Sequence, residues 1–269
     1  HVTWALAAAA LVTQSAAYTA TATRPTPLAP DYVDGWAVTP KRSTWQGREL
    51  MCLVVSDDPS VDNLHSVAHP DHPRYRAFEE LEDPHGALGV WPSAYAACAS
   101  LQKIASELKR PPTVLELGCG AGLPSLYASV VLESPRVVAT DVEAVPLAFL
   151  EAARSAHVET GSFATRTLDV TYASVDDIRG FDVVVCADML YNTDVATALG
   201  ALLGAAACGA GAPEFVVCDP GRRGRDHFLD AFGAASGLSP MFVDQAVPDG
   251  CVDVFDGTPI GAVGVLAAR

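Results

Sequence analysis

Val114-Leu115-Glu116-Leu117-Gly118-Cys119-Gly120-Ala121-Gly122-Leu123-Pro124-Ser125 is the stretch on which the fold of this 269-residue chain turns. Residues 113–117 read as a short buried strand that runs into a glycine loop, and residues 123–132 as the helix that follows. Glycines at 118, 120 and 122 let the backbone turn sharply and approach a ligand without Cβ clashes. Downstream the alternation continues. Strands are expected over 136–140, closed by Asp141, over 163–168, ending at Asp169, over 181–187, followed by Asp188, and over 215–218, ending in Asp219-Pro220-Gly221. Helices fit 145–157, 195–207 and 225–235, and apolar residues at helical spacing predict another over 91–108, stopped by Pro111-Pro112. Residues 241–246 and 260–266 supply two more strands, with a turn at Pro248-Asp249-Gly250 between them. The expected fold is α/β: a doubly wound, mostly parallel, Rossmann-like sheet of seven strands covered on both faces, with a small N-terminal extension.

In such a sheet ligands bind beyond the carboxyl ends of the strands, and here those ends carry Glu116, Asp141, Asp169 and Asp188. Core packing explains poorly why acids should gather along one crevice. A dinucleotide fingerprint needs G-x-G-x-x-G, but position 123 is Leu, so the spacing is G-x-G-x-G with an acid two residues before it. Pyrophosphate on a helix N-terminus is poorly served by a carboxylate in the same loop. S-adenosylmethionine has no phosphate and carries a sulfonium and an ammonium, so Glu116 suits it. Asp141, nineteen residues after Gly122, is placed to accept ribose hydroxyls or to cap the next helix, and both roles are compatible. Asp169 would accept from the adenine amine, with Val170 beside the ring, or else is a turn residue. Trp91 would cover the cofactor or frame the target pocket, unless it is core. Gly118, Cys119, Gly120, Gly122, Val142 and Ala187 complete the expected cofactor contacts.

The net charge of −15 argues against nucleic acid as a partner, since phosphate binding needs clustered Lys and Arg. It leaves room for a basic protein partner. The seven cysteines are dispersed, odd in number and without a CxxC pair, which disfavours a disulfide framework and gives no zinc motif. His65, His69 and His72 read as loop histidines because Pro70 and Pro73 interrupt any helix that would align them. No metal is expected. Residues 1–30 are a targeting segment or a disordered tail. Positions 1–23 are uncharged and Ala/Thr-rich, with an apolar run over 4–12. A targeting role would place the protein in a plastid or mitochondrion, and a tail would leave it cytoplasmic. Residues 31–88 form the extension and 89–269 the main domain. No integral membrane span is expected in the mature chain, and the chain is taken as a monomer.

The stretch 114–125 resembles motif I of the class I methyltransferases, and its Leu-Pro-Ser continuation is similar to the nicotinamide-N-methyltransferase-like branch, many of whose members are protein-lysine methyltransferases. Gly89-Val90-Trp91-Pro92-Ser93-Ala94 resembles the Trp-containing segment before that motif. Asp182-Val183-Val184-Val185-Cys186-Ala187-Asp188-Met189-Leu190-Tyr191 resembles the branch's fourth-strand motif, D-x-x-Y. Cys218-Asp219-Pro220-Gly221-Arg222 is similar to the D-P-G-R segment of the electron-transfer-flavoprotein β-subunit lysine methyltransferases. The likeness spans about 86–235.

That resemblance implies methyl transfer from S-adenosylmethionine to an amine, foremost a protein lysine. Asp188 and Tyr191 would line the acceptor pocket as the catalytic pair, orienting an amine that has lost its proton. Asp219 and Arg222 would shape the acceptor entrance, although pairing of Arg222 with a nearby acid is an equally good structural account. Two other function classes share the cofactor half: a small-molecule N- or O-methyltransferase, marked by lids over Asp188 and Tyr191, and a non-catalytic cofactor-binding module. A nicotinamide oxidoreductase fits neither the glycine spacing nor Glu116.

Overall fold

The computed structural model describes residues 32–34, 36–56, 84–157, 161–209, 211–254 and 257–267. Residues 1–30, read as a targeting segment or a tail, and the histidines at 65, 69 and 72 lie outside these residues.

The chain opens with a short antiparallel sheet of β1 (Tyr32–Val33), β2 (Trp36–Trp45) and β3 (Arg48–Val55). A single 3-10 turn at Pro84–Ala87 leads to α1 (Pro92–Leu108), which has a proline in its first turn and Lys109 in the left-handed conformation after its last. Then follow β4 (Val114–Leu117), α2 (Leu123–Leu126), β5 (Arg136–Asp141), α3 (Ala144–Arg154) and β6 (Ser162–Thr167). Past these come α4 (Val175–Ile178), β7 (Val183–Ala187), α5 (Thr193–Ala207), β8 (Glu214–Asp219) and α6 (Arg225–Ser236). The chain closes on β9 (Met241–Ala246) and β10 (Ala262–Ala267).

β4 to β10 form one seven-stranded sheet in the order β6-β5-β4-β7-β8-β10-β9. β4 to β8 run parallel, and β10 lies antiparallel between β8 and β9. The expected doubly wound sheet is therefore present, and the order reverses between β4 and β7. Alternation along the central strands divides the core. Val114, Val183 and Val185 face the layer made by α1, α2, α3 and β3, while Leu115, Leu117, Val184 and Cys186 face α4, α5 and α6. On that second face, Gly200 and Gly204 let α5 meet α6 closely; added Cβ atoms would lie 2.4 Å from the Phe228 carbonyl and 2.6 Å from the Phe232 carbonyl.

Three details depart from the sequence expectation. The helix after the glycine loop is regular only to Leu126 and then widens into a π turn over Tyr127–Val131, with the Leu132 amide donating to the Tyr127 carbonyl at 3.1 Å. The fourth strand starts two residues late. Asp182, just before it, accepts from both terminal nitrogens of Arg110 and from the Thr113 amide and hydroxyl, bracing α1 against β4 and β7. The N-terminal extension, thirdly, is part of the main core: Leu50–Val55 are buried among α1, α2 and α3.

Candidate functional site

The switch point opens into a cavity of about 400 Å³ at the carboxyl ends of the strands. Its floor is the glycine loop. At Gly120 the backbone φ is +49°, and a Cβ would stand 2.5 Å from the Gly86 carbonyl, so no larger residue fits between the loop and the N-terminal segment. Gly118 packs under Met189 and Gly122 under Leu150 in the same way.

Glu116 occupies the third position of the four-residue β4. Alternation turns its side chain toward α2, where Oε2 accepts from the Ser125 amide at 3.0 Å and from the Ser125 hydroxyl. The carboxyl is 1% exposed yet lines the cavity. Burial lifts it to about 8, against the lowering effect of the Ser125 bonds. Asp141 ends β5. Its Oδ2 accepts from the Gly120 amide at 2.9 Å and its Oδ1 from the Glu143 amide at 3.1 Å, so one carboxylate shapes the loop and starts the next helix. Burial raises Asp141 too, opposed by these backbone donors. Each of its oxygens has a second lone pair available to a ligand.

Val142 projects into the cavity mouth, half exposed, across from Leu168 and Val170. Asp169 lies two residues past β6. Its Oδ1 binds the Thr171 amide and hydroxyl, making it a turn residue that also lines the cavity. Cys119 and Ala187 line the wall as expected.

At the other end stand Trp91, Asp188, Tyr191 and Arg222. Asp188 follows β7 with φ +61°, a left-handed turn that Asp tolerates better than most residues. Its carboxylate is 7% exposed and held in a fork by Arg222, from Nε to Oδ1 at 2.7 Å and from a terminal nitrogen to Oδ2 at 3.2 Å. Burial pushes the Asp188 carboxyl up while Arg222 pulls it back, and the fork itself requires the ionised form. The Arg222 guanidinium lies 5.4 Å over the Trp91 ring, which puts Trp91 in the cavity wall and not in the core interior. Tyr191 is 53% exposed at the mouth; burial of its hydroxyl and the nearby carboxylates raise the phenol, which stays protonated.

Asp219 was expected at the acceptor entrance and does not line the cavity. It is fully buried, and it accepts from the Gly221 and Arg222 amides and from Arg225 Nε at 2.6 Å. Its work is to fold the turn that carries Arg222. Sequence reasoning missed Gly86, Glu143, Leu168 and Met189, which also line the cavity. Glu143 was findable, two residues past Asp141. Gly86 was not, because nothing periodic surrounds it.

Among the described residues five carboxyl groups line the cavity (Glu116, Asp141, Glu143, Asp169 and Asp188), against one basic side chain, Arg222, which is bound to Asp188. That donor set suits a cationic ligand without phosphate. Among the described residues no group of three His, Cys, Asp or Glu could hold a metal ion, and no helix is long and apolar enough to cross a membrane.

A seven-stranded sheet of this order with an acid-lined cavity at its switch point defines a class I methyltransferase, dependent on S-adenosylmethionine. The model of the family described as lysine methyltransferase matches residues 70–232, and the chain belongs to that family. A search of curated proteins finds no match. Solved structures with a similar fold include the magnesium protoporphyrin IX methyltransferase of Synechocystis PCC 6803 with bound S-adenosylmethionine, at 15% identity and a TM-score of 0.47, covering 69% of this chain and 80% of that one. Another, from work on converting a disulfide bond into a thioacetal group during echinomycin biosynthesis, has 17% identity and a TM-score of 0.48, over 73% and 90% of the two chains.

Proposed function

We propose that this chain is a protein-lysine N-methyltransferase. The observation that carries this reading is the carboxyl-lined cavity, on whose wall Asp188 is buried and Tyr191 stands half exposed. Among the described residues no lid covers Tyr191, which suits a side chain presented by a macromolecule better than a small molecule that must be enclosed.

Gly118, Cys119 and Gly120 with Glu116 would hold the methionine part of S-adenosylmethionine, Asp141 the ribose, and Val142, Asp169 and Val170 the adenine. When bound, the cofactor supplies an electrophilic methyl group on sulfur. Asp188 and Tyr191 then orient the amine. Both Asp188 oxygens are engaged by Arg222, so it fixes the direction of the amine, and the proton leaves to water at the mouth. Most of the rate would come from alignment, as in other reactions where bound reactants are held in line.

The test is transfer of tritiated methyl from S-adenosylmethionine into a cell lysate, with and without prior protease digestion. Label in protein, recovered as methyl-lysine after hydrolysis, supports the reading. Label only in a protease-resistant small molecule overturns it.

A further inference from the structure

The β9–β10 connection is docked on the acceptor wall at two points. Val254 lies against Gly89, where an added Cβ would come within 2.8 Å of it. Asp253 Oδ2 lies 3.2 Å from the Arg222 terminal nitrogen not used by Asp188. The Asp253 side chain is only 15% exposed, its backbone is fixed by the Asp253 amide donating to the Thr258 carbonyl at 2.8 Å, and it belongs to a small second cavity that shares Arg222 with the main one. Residue 253 also falls outside the span 70–232 that the family model matches.

We propose that Asp253 is a specificity-determining residue, giving the acceptor wall its preference for a cation. The Asp188–Arg222 fork by itself cancels to a neutral pair. Asp253 shares the same guanidinium and leaves one negative charge in excess among the three groups, in a partly buried setting where charge is weakly screened. A lysine ammonium arriving beside Asp188 then meets a negative wall. With Asp253 neutral, Arg222 is given wholly to Asp188 and that attraction is lost. The inference rests on the proposed lysine acceptor.

The experiment uses the full chain saturated with S-adenosylhomocysteine and two probes of equal length, n-butylammonium and 1-butanol, whose affinities are read by ligand-observed NMR. The wild type should favour the cation by about tenfold, roughly 1.4 kcal/mol. Asp253→Asn, close to isosteric, should shrink that preference to under threefold, and Asp253→Glu should restore it. S-adenosylhomocysteine affinity, measured by calorimetry, should stay unchanged throughout, which separates the effect from misfolding. A cation preference kept in Asp253→Asn overturns the role of Asp253 alone. No cation preference in the wild type overturns it together with the lysine reading beneath it.

Discussion

Glu116 is an acid that the folded protein prefers to keep neutral, and this has a measurable slope. Its carboxyl stands at about 8 in the fold because burial penalises the charge, against about 4.3 in an unfolded chain. Between those values the native state holds a proton that the unfolded state has released, so stability falls as pH rises. The contribution is complete below about pH 4.3 and is lost as pH passes 8, at up to about 1.4 kcal/mol per pH unit. For a chain of this size that is about 4 °C in Tm per unit. Glu116→Gln copies the neutral form, since its carbonyl still accepts from Ser125. Thermal unfolding of both proteins from pH 5 to 8 should therefore show the wild type losing ground steadily to the variant. Other acids raised by burial, Asp141 and Asp188, cancel in the difference. Saturating S-adenosylhomocysteine should flatten the slope, because its ammonium would stabilise the charged carboxylate. Parallel Tm curves for the two proteins without ligand would refute the buried-acid account.

Three more expectations follow from the geometry. Gly120→Ala places a Cβ against the Gly86 carbonyl in a left-handed conformation, at a cost of about 1–3 kcal/mol, and calorimetry should show at least tenfold weaker S-adenosylhomocysteine binding. Arg222→Met leaves Asp188 buried without its partner, which should cost about 3–5 kcal/mol by denaturant unfolding; adding Asp188→Asn should recover part of it. Asp182 is held well below the usual carboxylate range, chiefly by Arg110, so its stabilisation is present above its unfolded value and lost as pH falls through the folded one. Asp182→Asn should accordingly cost about 2 kcal/mol at pH 7, with the gap to wild type closing in acid unfolding titrations.

The parallel sheet was legible in the sequence because β4, β7 and β8 are short, largely apolar runs closed by an acid or a glycine turn, and burial on both faces leaves no other place for such runs; β6, with Ser162, Thr165, Arg166 and Thr167, is an exposed edge that only the alternation suggests. That Glu116, Asp141 and Asp169 line one cavity was legible for the same reason: they stand at or near strand ends, on the side to which the topology directs them. The acceptor end was harder. Asp219 and Asp188 look alike in sequence, each ending a strand, yet one folds a turn and the other faces the cavity. That difference depends on Arg222 and Arg225, which come later in the chain and choose their partners in three dimensions. The burial of the β2–β3 hairpin was opaque because it depends on helices that begin more than thirty-five residues downstream of Val55.

The contact between Gly86 and Gly120 has a practical consequence. The backbone before α1 sits directly on the glycine loop, and Leu50–Val55 complete the core beneath it. A fragment starting at Gly89 would keep the four motifs quoted from the sequence and lose one wall of the cavity together with a side of its core. A unit that folds and binds is therefore expected to include the β2–β3 hairpin, which begins at Trp36, and a transplant of the motif region alone is expected to carry over the signature without the cavity.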